Sequence, residues 1–232
     1  MAKRIGILGG MSPESTAAYY EIITRTYTER FGDYGYPEIL IYSVSFQSYV
    51  DWPNAGRWDL VAEGLRQAGR TLEAAGADFL LIATNTMHVV FDEVQAGVTI
   101  PVLSLLDVVS EAILARGMTR VGLLGTRFTM EKPFYQDALA RRGITVLTPD
   151  AEDRAYVHRV IYEELVAGQI LDASRAGYQR VVEKLVARGA EGIILGCTEI
   201  PLLITEADVA VPLFDTTRLH AEAALEYALA SV

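Results

Sequence analysis

Two stretches of this chain occur twice. Arg4-Ile5-Gly6-Ile7-Leu8-Gly9-Gly10 returns as Arg120-Val121-Gly122-Leu123-Leu124-Gly125-Thr126. Gly76-Ala77-Asp78-Phe79-Leu80-Leu81-Ile82-Ala83-Thr84-Asn85 returns as Gly189-Ala190-Glu191-Gly192-Ile193-Ile194-Leu195-Gly196-Cys197-Thr198. The spacing repeats as well: Thr84 lies 80 positions after Arg4, and Cys197 lies 77 positions after Arg120. Loop insertions produce so small a mismatch between two copies of one structural unit. Glycine-punctuated apolar strands also recur by chance, so coincidence stays open at this point.

The repeated segments belong to a wider rhythm. Short apolar runs at Arg4–Leu8, Ile39–Val44, Phe79–Ala83, Val121–Leu124 and Gly192–Leu195 alternate with longer amphipathic stretches. Runs apolar on every residue suit parallel strands covered on both faces, and the intervening lengths suit crossover helices. Ser12-Pro13-Glu14-Ser15 reads as a helix start, with a hydroxyl cap, proline at the first helical position and an acid in the first turn. Similar starts fall near Gly56, Ser104, Asp172 and Asp215. The expected fold is α/β: two pseudo-symmetric Rossmann-like lobes with parallel sheets and a site in the cleft between them. Lobe 1 takes residues 1–100 and regains the segment 211–232, whose helix spans Thr216–Leu229, while lobe 2 takes 101–210. In such sheets small ligands lie beyond the carboxyl ends of the strands.

Composition narrows the partners. Thirty acidic against twenty basic side chains leave a net charge of −10, which repels nucleic acid and anionic membrane surfaces. With one cysteine there is no intrachain disulfide, and the usage suits a reducing compartment. No apolar run reaches the ~18 residues of a membrane span. The apolar start at Ile5 is broken by Gly9-Gly10 and Pro13, unlike a signal peptide. A cytoplasmic location is therefore expected. Gly6-Ile7-Leu8-Gly9-Gly10 satisfies neither dinucleotide nor P-loop spacing, and reads as a tight turn that admits a small ligand. Tyr34, Tyr36, Tyr42, Phe46, Tyr49 and Trp52 read as packing or a dimer face.

Superposing the copies sets Thr84 against Cys197, each just after a buried strand and each followed by polar residues. Two facing lobes would bring them to opposite sides of one ligand. Inversion of a stereocentre needs that arrangement, one group removing a proton and another returning it from the other face. A thiol of tuned pKa is a credible acid or base. A lone buried cysteine is more often an inert small hydrophobe, but this one stands at a strand end between Gly196 and Thr198. The turns at Asn85-Thr86 and Cys197-Thr198 offer donors for an α-carboxylate. Thr126 and Thr129 are candidates for a distal carboxylate, or else ordinary N-caps.

These residues resemble the aspartate/glutamate racemases, cofactor-independent amino-acid racemases. The resemblance covers essentially the whole chain. It rests on Ile7-Leu8-Gly9-Gly10-Met11-Ser12-Pro13-Glu14-Ser15-Thr16, Asn85-Thr86-Met87-His88, Leu124-Gly125-Thr126-Arg127-Phe128-Thr129-Met130, Gly196-Cys197-Thr198-Glu199-Ile200, and Phe214-Asp215-Thr216 with His220. It implies two lobes, a homodimer, and one catalytic residue from each lobe. Typical members carry cysteine at both catalytic positions, and Thr84 departs from that. A subgroup of broad or L-specific members shares the replacement. By resemblance, Cys197 deprotonates the L-isomer and Thr84, or a water it holds, returns the proton.

Resemblance also brings Met11 and Gln47 to the substrate, alongside Asn85, Thr86, Thr126, Thr129 and Thr198, with His88, Glu199 and His220 in support. Gln47 and Leu165 stand where a basic residue for the side-chain carboxylate would be sought. His158 reads as a surface residue, and the three histidines have no metal-ligand spacing, so neither metal nor other cofactor is expected. Two rivals remain: a small-dicarboxylate decarboxylase or isomerase of the same superfamily, and a non-catalytic two-lobed amino-acid-binding protein.

Overall fold

The computed structural model describes residues 2–230. Among them, β1 (Ile5–Gly9), β2 (Ile39–Ser43), β3 (Phe79–Ile82) and β4 (Val102–Leu103) form one parallel sheet in the order β2-β1-β3-β4. β5 (Arg120–Gly125), β6 (Thr145–Leu147), β7 (Gly192–Gly196) and β8 (Leu213–Asp215) form a second parallel sheet, ordered β6-β5-β7-β8. The two orders are one permutation applied twice, so the repeated sequence segments carry a repeated topology. The chain divides into two compact units, Met1–Leu105 with Thr217–Val232 and Leu106–Thr216.

In the first unit the strand residues alternate between two cores, as the period of two requires. Ile5, Ile7, Phe79 and Leu81 pack with Tyr19 and Ile23 of the Pro13–Phe31 helix and with Ala221, Ala224 and Leu225 of the Thr216–Leu229 helix. Leu8, Leu80 and Ile82 pack on the other face against Val61, Leu65 and Leu72 of the Trp58–Ala74 helix, whose spacing is one helical stripe. Each such fully buried side chain contributes roughly 1.5–3 kcal/mol, whereas an exposed, solvent-screened pair such as Arg25–Glu21 adds little. Buried sheet faces therefore hold the unit together. In the second unit Leu124, Ile193 and Leu195 meet Tyr178, Val182 and Leu185 of the Asp172–Ala187 helix.

The strand-to-helix turn after β1 shows why its residues are what they are. Gly10 has φ +90°, and a side chain there would collide with the Val44 carbonyl oxygen. Ser12 caps the following helix by accepting the Ser15 N–H at 3.2 Å, with Pro13 in the first turn. Of the aromatic group, Tyr49 is buried and Phe46 and Trp52 pack against the first core, but Tyr34 is 84% exposed and Tyr36 and Tyr42 are also at the surface. Packing thus accounts for the aromatics of the Phe46–Asn54 helix, while of the tyrosines before them Tyr36 meets Tyr27 edge-on with centroids 6.4 Å apart. Among the described residues, no helix is long and apolar enough to cross a membrane.

Candidate active site

In the first unit the residues in question follow β3. Ala83 N–H donates to Leu8 O at 2.9 Å, extending the ladder one residue and delivering Thr84 at the carboxyl end of the sheet. Thr84 is fixed through its backbone on both sides. Its N–H donates to Ile82 O at 2.8 Å, and its carbonyl lies 2.9 Å from His88 Nδ1. The Leu105 N–H meets His88 Nε2 at 3.3 Å. A carbonyl only accepts and a backbone N–H only donates, so His88 is neutral with its proton on Nδ1. Its ring ties the Thr84 turn to Leu105, where the first unit hands over to the second. Thr84 and Thr86 are partly exposed, and Asn85 is buried. Met11 is buried in the core with Leu8, and Gln47 is exposed, its Nε2 donating to Asp51 Oδ1 at 2.9 Å.

His220 sits behind His88, the ring centroids 6.0 Å apart. His220 Nε2 lies 3.1 Å from the Leu103 carbonyl and must donate, which leaves Nδ1 to accept the Tyr19 hydroxyl at 2.9 Å. Burial first, then the neighbouring His88, pushes the His220 pKa down to about 3, against the opposing bond to Leu103. The folded protein keeps His220 neutral while the unfolded chain takes up a proton near the ordinary value of 6.5. Its contribution is therefore intact above about pH 6.5 and is lost progressively as the pH falls toward 3, by up to about 1.4 kcal/mol per pH unit. Urea unfolding at pH 7.5 and 5.0 checks this. The wild type is expected to lose about 2 kcal/mol more than His220→Gln over that interval, and equal losses would refute the assignment.

In the second unit, β5 and β7 are paired with Gly125 opposite Gly196. A side chain on Gly196 would meet the Leu124 carbonyl oxygen at 2.9 Å, so glycine is required for the two strand ends to lie this close. Cys197 is the next residue, partly exposed at the lip of the core. Its thiol donates to Glu199 Oε2 at 2.9 Å. Desolvation, then the charge of Glu199 and that hydrogen bond, raise the Cys197 pKa well above its ordinary value. The resting thiol is therefore protonated, with a carboxylate already positioned to accept its proton.

Thr126 caps the short Arg127–Glu131 helix, accepting the Thr129 N–H at 3.3 Å, and its hydroxyl is 3.1 Å from that of Thr129. Thr129 is fully buried and Thr126 nearly so. The structure thus shows Thr126 as the cap and Thr129 as the residue it caps, and Thr198 and Glu199 are partly exposed next to Cys197 in the chain. No cluster of three or more His, Cys, Asp or Glu suited to a metal occurs among the described residues.

Sequence reasoning reads two residues of the Ala151–Val160 helix and the turn after it too simply or not at all. His158 is half-buried rather than a simple surface residue, its Nδ1 accepting the Arg127 N–H at 3.2 Å. Tyr162 packs edge-on to it with centroids 4.8 Å apart, within reach of the charges of Cys197 and Glu199. Their spacing of four, one helix face, was the available signal. Leu165 is buried in the second core and offers no polar group to a ligand.

The sequence matches the family model described as Asp/Glu/Hydantoin racemase over residues 8–224. Its fold is similar to that of a Yersinia pestis protein provisionally assigned as an Asp/Glu racemase, with a TM-score of 0.92 and 45% identity, covering 98% of this chain and 99% of that one. An aspartate racemase homologue from Pyrococcus horikoshii OT3 matches with a TM-score of 0.85 and 41% identity, covering 99% and 100%. The broad specificity amino-acid racemase RacX of Bacillus subtilis (strain 168) is 27% identical over 229 residues, 97% of this chain and 98% of its own length.

Proposed function

The chain belongs to the Asp/Glu/Hydantoin racemase family, and from that membership we propose that it interconverts the enantiomers of an acidic amino acid, aspartate or glutamate, by proton transfer at Cα without a cofactor. One observation carries the mechanism: the chain's single thiol ends β7 with its proton directed at a carboxylate. Glu199 takes the Cys197 proton, and the thiolate then removes the Cα proton of the L-isomer to leave a planar carbanion. Donors of the Asn85-Thr86 and Cys197-Thr198 turns hold the α-carboxylate, and Met11 and Gln47 complete the substrate surroundings. The Thr84 hydroxyl, or a water it holds, returns a proton from the other side. A threonine hydroxyl is too weak an acid to be ionised near neutral pH, so it serves as donor far better than as base. The reaction consequently favours L-substrates.

His88 and His220 act as positioning groups, since their hydrogen bonds fix both as neutral and spend their ring nitrogens on backbone and Tyr19. A homodimer is part of the same reading. The exposed Tyr34, Tyr36 and Tyr42 near edge strand β2 support an interface there.

Proton NMR in deuterated buffer, without pyridoxal phosphate, tests the proposal on a panel of L- and D-amino acids. Loss of the Cα proton signal of L-aspartate or L-glutamate with accumulation of the opposite enantiomer is expected. Carbon dioxide release or alkene isomerisation would replace the proposal with a decarboxylase or isomerase. Binding with no exchange, in folded and reduced protein, would replace it with a binding protein.

A further inference from the structure

We infer that Arg127, assisted by Tyr162, recognises the side-chain carboxylate of the amino acid on which Cys197 acts. The inference rests on the racemase reading and names the specificity determinant within that site.

Strand register supplies the placement. Gly125 and Gly196 are opposite one another on neighbouring parallel strands, so the chain leaves both strands at the same edge of the sheet, one strand spacing of about 4.8 Å apart. Cys197 is the first residue beyond β7, and Arg127 is the second beyond β5. A distal carboxylate stands two or three C–C bonds from Cα, each about 1.5 Å, an offset comparable with one strand spacing. A substrate whose Cα is at Cys197 therefore sends its side chain a distance that suits the β5 turn.

Charge supplies the chemistry. Arg127 is exposed, and among the described residues no carboxylate forms an ion pair with it. The acid one helical turn on, Glu131, is engaged by Arg154 at 3.3 Å instead. The guanidinium lies 5.3 Å over the Phe128 ring, which holds the side chain without neutralising it. In a chain of net charge −10, a cation left without a salt-bridge partner on the turn next to that of Cys197 is available to an anionic ligand.

The third element closes the arrangement. The Ala151–Val160 helix runs into a π-helical turn at Ile161–Leu165 that carries Tyr162. His158 ties that turn to the β5 turn through the Arg127 N–H, and it supports the Tyr162 ring edge-on. Tyr162 is thereby linked to the Arg127 turn through His158, and its phenol feels the charges of Glu199 and Arg127. Burial above all raises the phenol pKa, so Tyr162 keeps the proton that it would donate to the same carboxylate.

The experiment compares wild type, Arg127→Gln, Arg127→Lys and Tyr162→Phe by calorimetric binding of succinate, aspartate and asparagine, and by Cα exchange of aspartate and asparagine. Arg127→Gln is expected to weaken succinate and aspartate binding by at least about tenfold and to lower the preference for aspartate over asparagine by a similar factor. Lysine should restore part of the loss, and Tyr162→Phe should cause a smaller loss of the same selectivity. Equal effects on acid and amide, or unaltered succinate binding in Arg127→Gln, would overturn the inference. Binding is read without turnover. A wild type that binds succinate through Arg127 but exchanges no Cα proton would sink the racemase reading and leave the recognition role standing.

Discussion

With Cys197 replaced by alanine, exchange of the Cα proton of L-aspartate and L-glutamate is expected to fall by roughly 10³- to 10⁴-fold, the contribution of a positioned general base. Serine should do little better, because the function depends on the acidity of sulfur and not on the shape of the side chain. The protein should fold in both cases: Cys197 lies at the lip of the core, partly exposed, after a strand whose own residues are buried. Deuterium incorporation followed by NMR, with circular dichroism as the control on folding, reads the result directly. Retention of more than about a tenth of the exchange in a folded Cys197→Ala protein would mean that another group removes the proton.

Thr84→Cys carries the second large effect, in the opposite direction. The repeat aligns Thr84-Asn85-Thr86 with Cys197-Thr198-Glu199, so the new thiol would have Thr86 where Cys197 has a carboxylate. At the partly exposed position 84, with no acidic side chain two residues on, it should ionise more readily than Cys197, which burial and then Glu199 raise. Exchange from D-aspartate or D-glutamate is expected to rise by roughly 100-fold or more, within the range of a newly supplied base. The Thr84 backbone is held by Ile82 and His88, so the substitution changes the functional atom more than its position. If D-substrates stay inert although the variant folds and binds aspartate, Thr84 does not face the substrate as proposed.

How much of this was legible in the sequence depended on length and period. The five long apolar runs correspond to β1, β2, β3, β5 and β7, and the Ser12-Pro13 start is the cap observed. β4, β6 and β8 went unread, because two- and three-residue edge strands such as Val102–Leu103 are too short to show any alternation. Cys197, Thr84 and Glu199 could be singled out because the repeat aligned them, and the family motifs drew in the histidines. The partners of those histidines could not be read: Tyr19 and His220 are separated by 201 positions and meet only because two helices cover the same sheet face. The Arg127–His158 contact across 31 residues escaped for the same reason. Side-chain pairings between distant elements are a product of packing and leave no local periodicity.

One consequence concerns the order in which the chain acquires structure during synthesis. The second unit is continuous in sequence, Leu106–Thr216, and can condense as soon as it has left the ribosome. The first unit lacks the helix carrying Ala221, Ala224 and Leu225 until that later segment is made, and until then the face of Ile5, Ile7 and Phe79 is covered only in part, by Tyr19 and Ile23. The amino-terminal half, although translated first, therefore finishes last. It must wait through the production of more than a hundred residues with apolar surface exposed, which makes it the part of the molecule with most need of a chaperone.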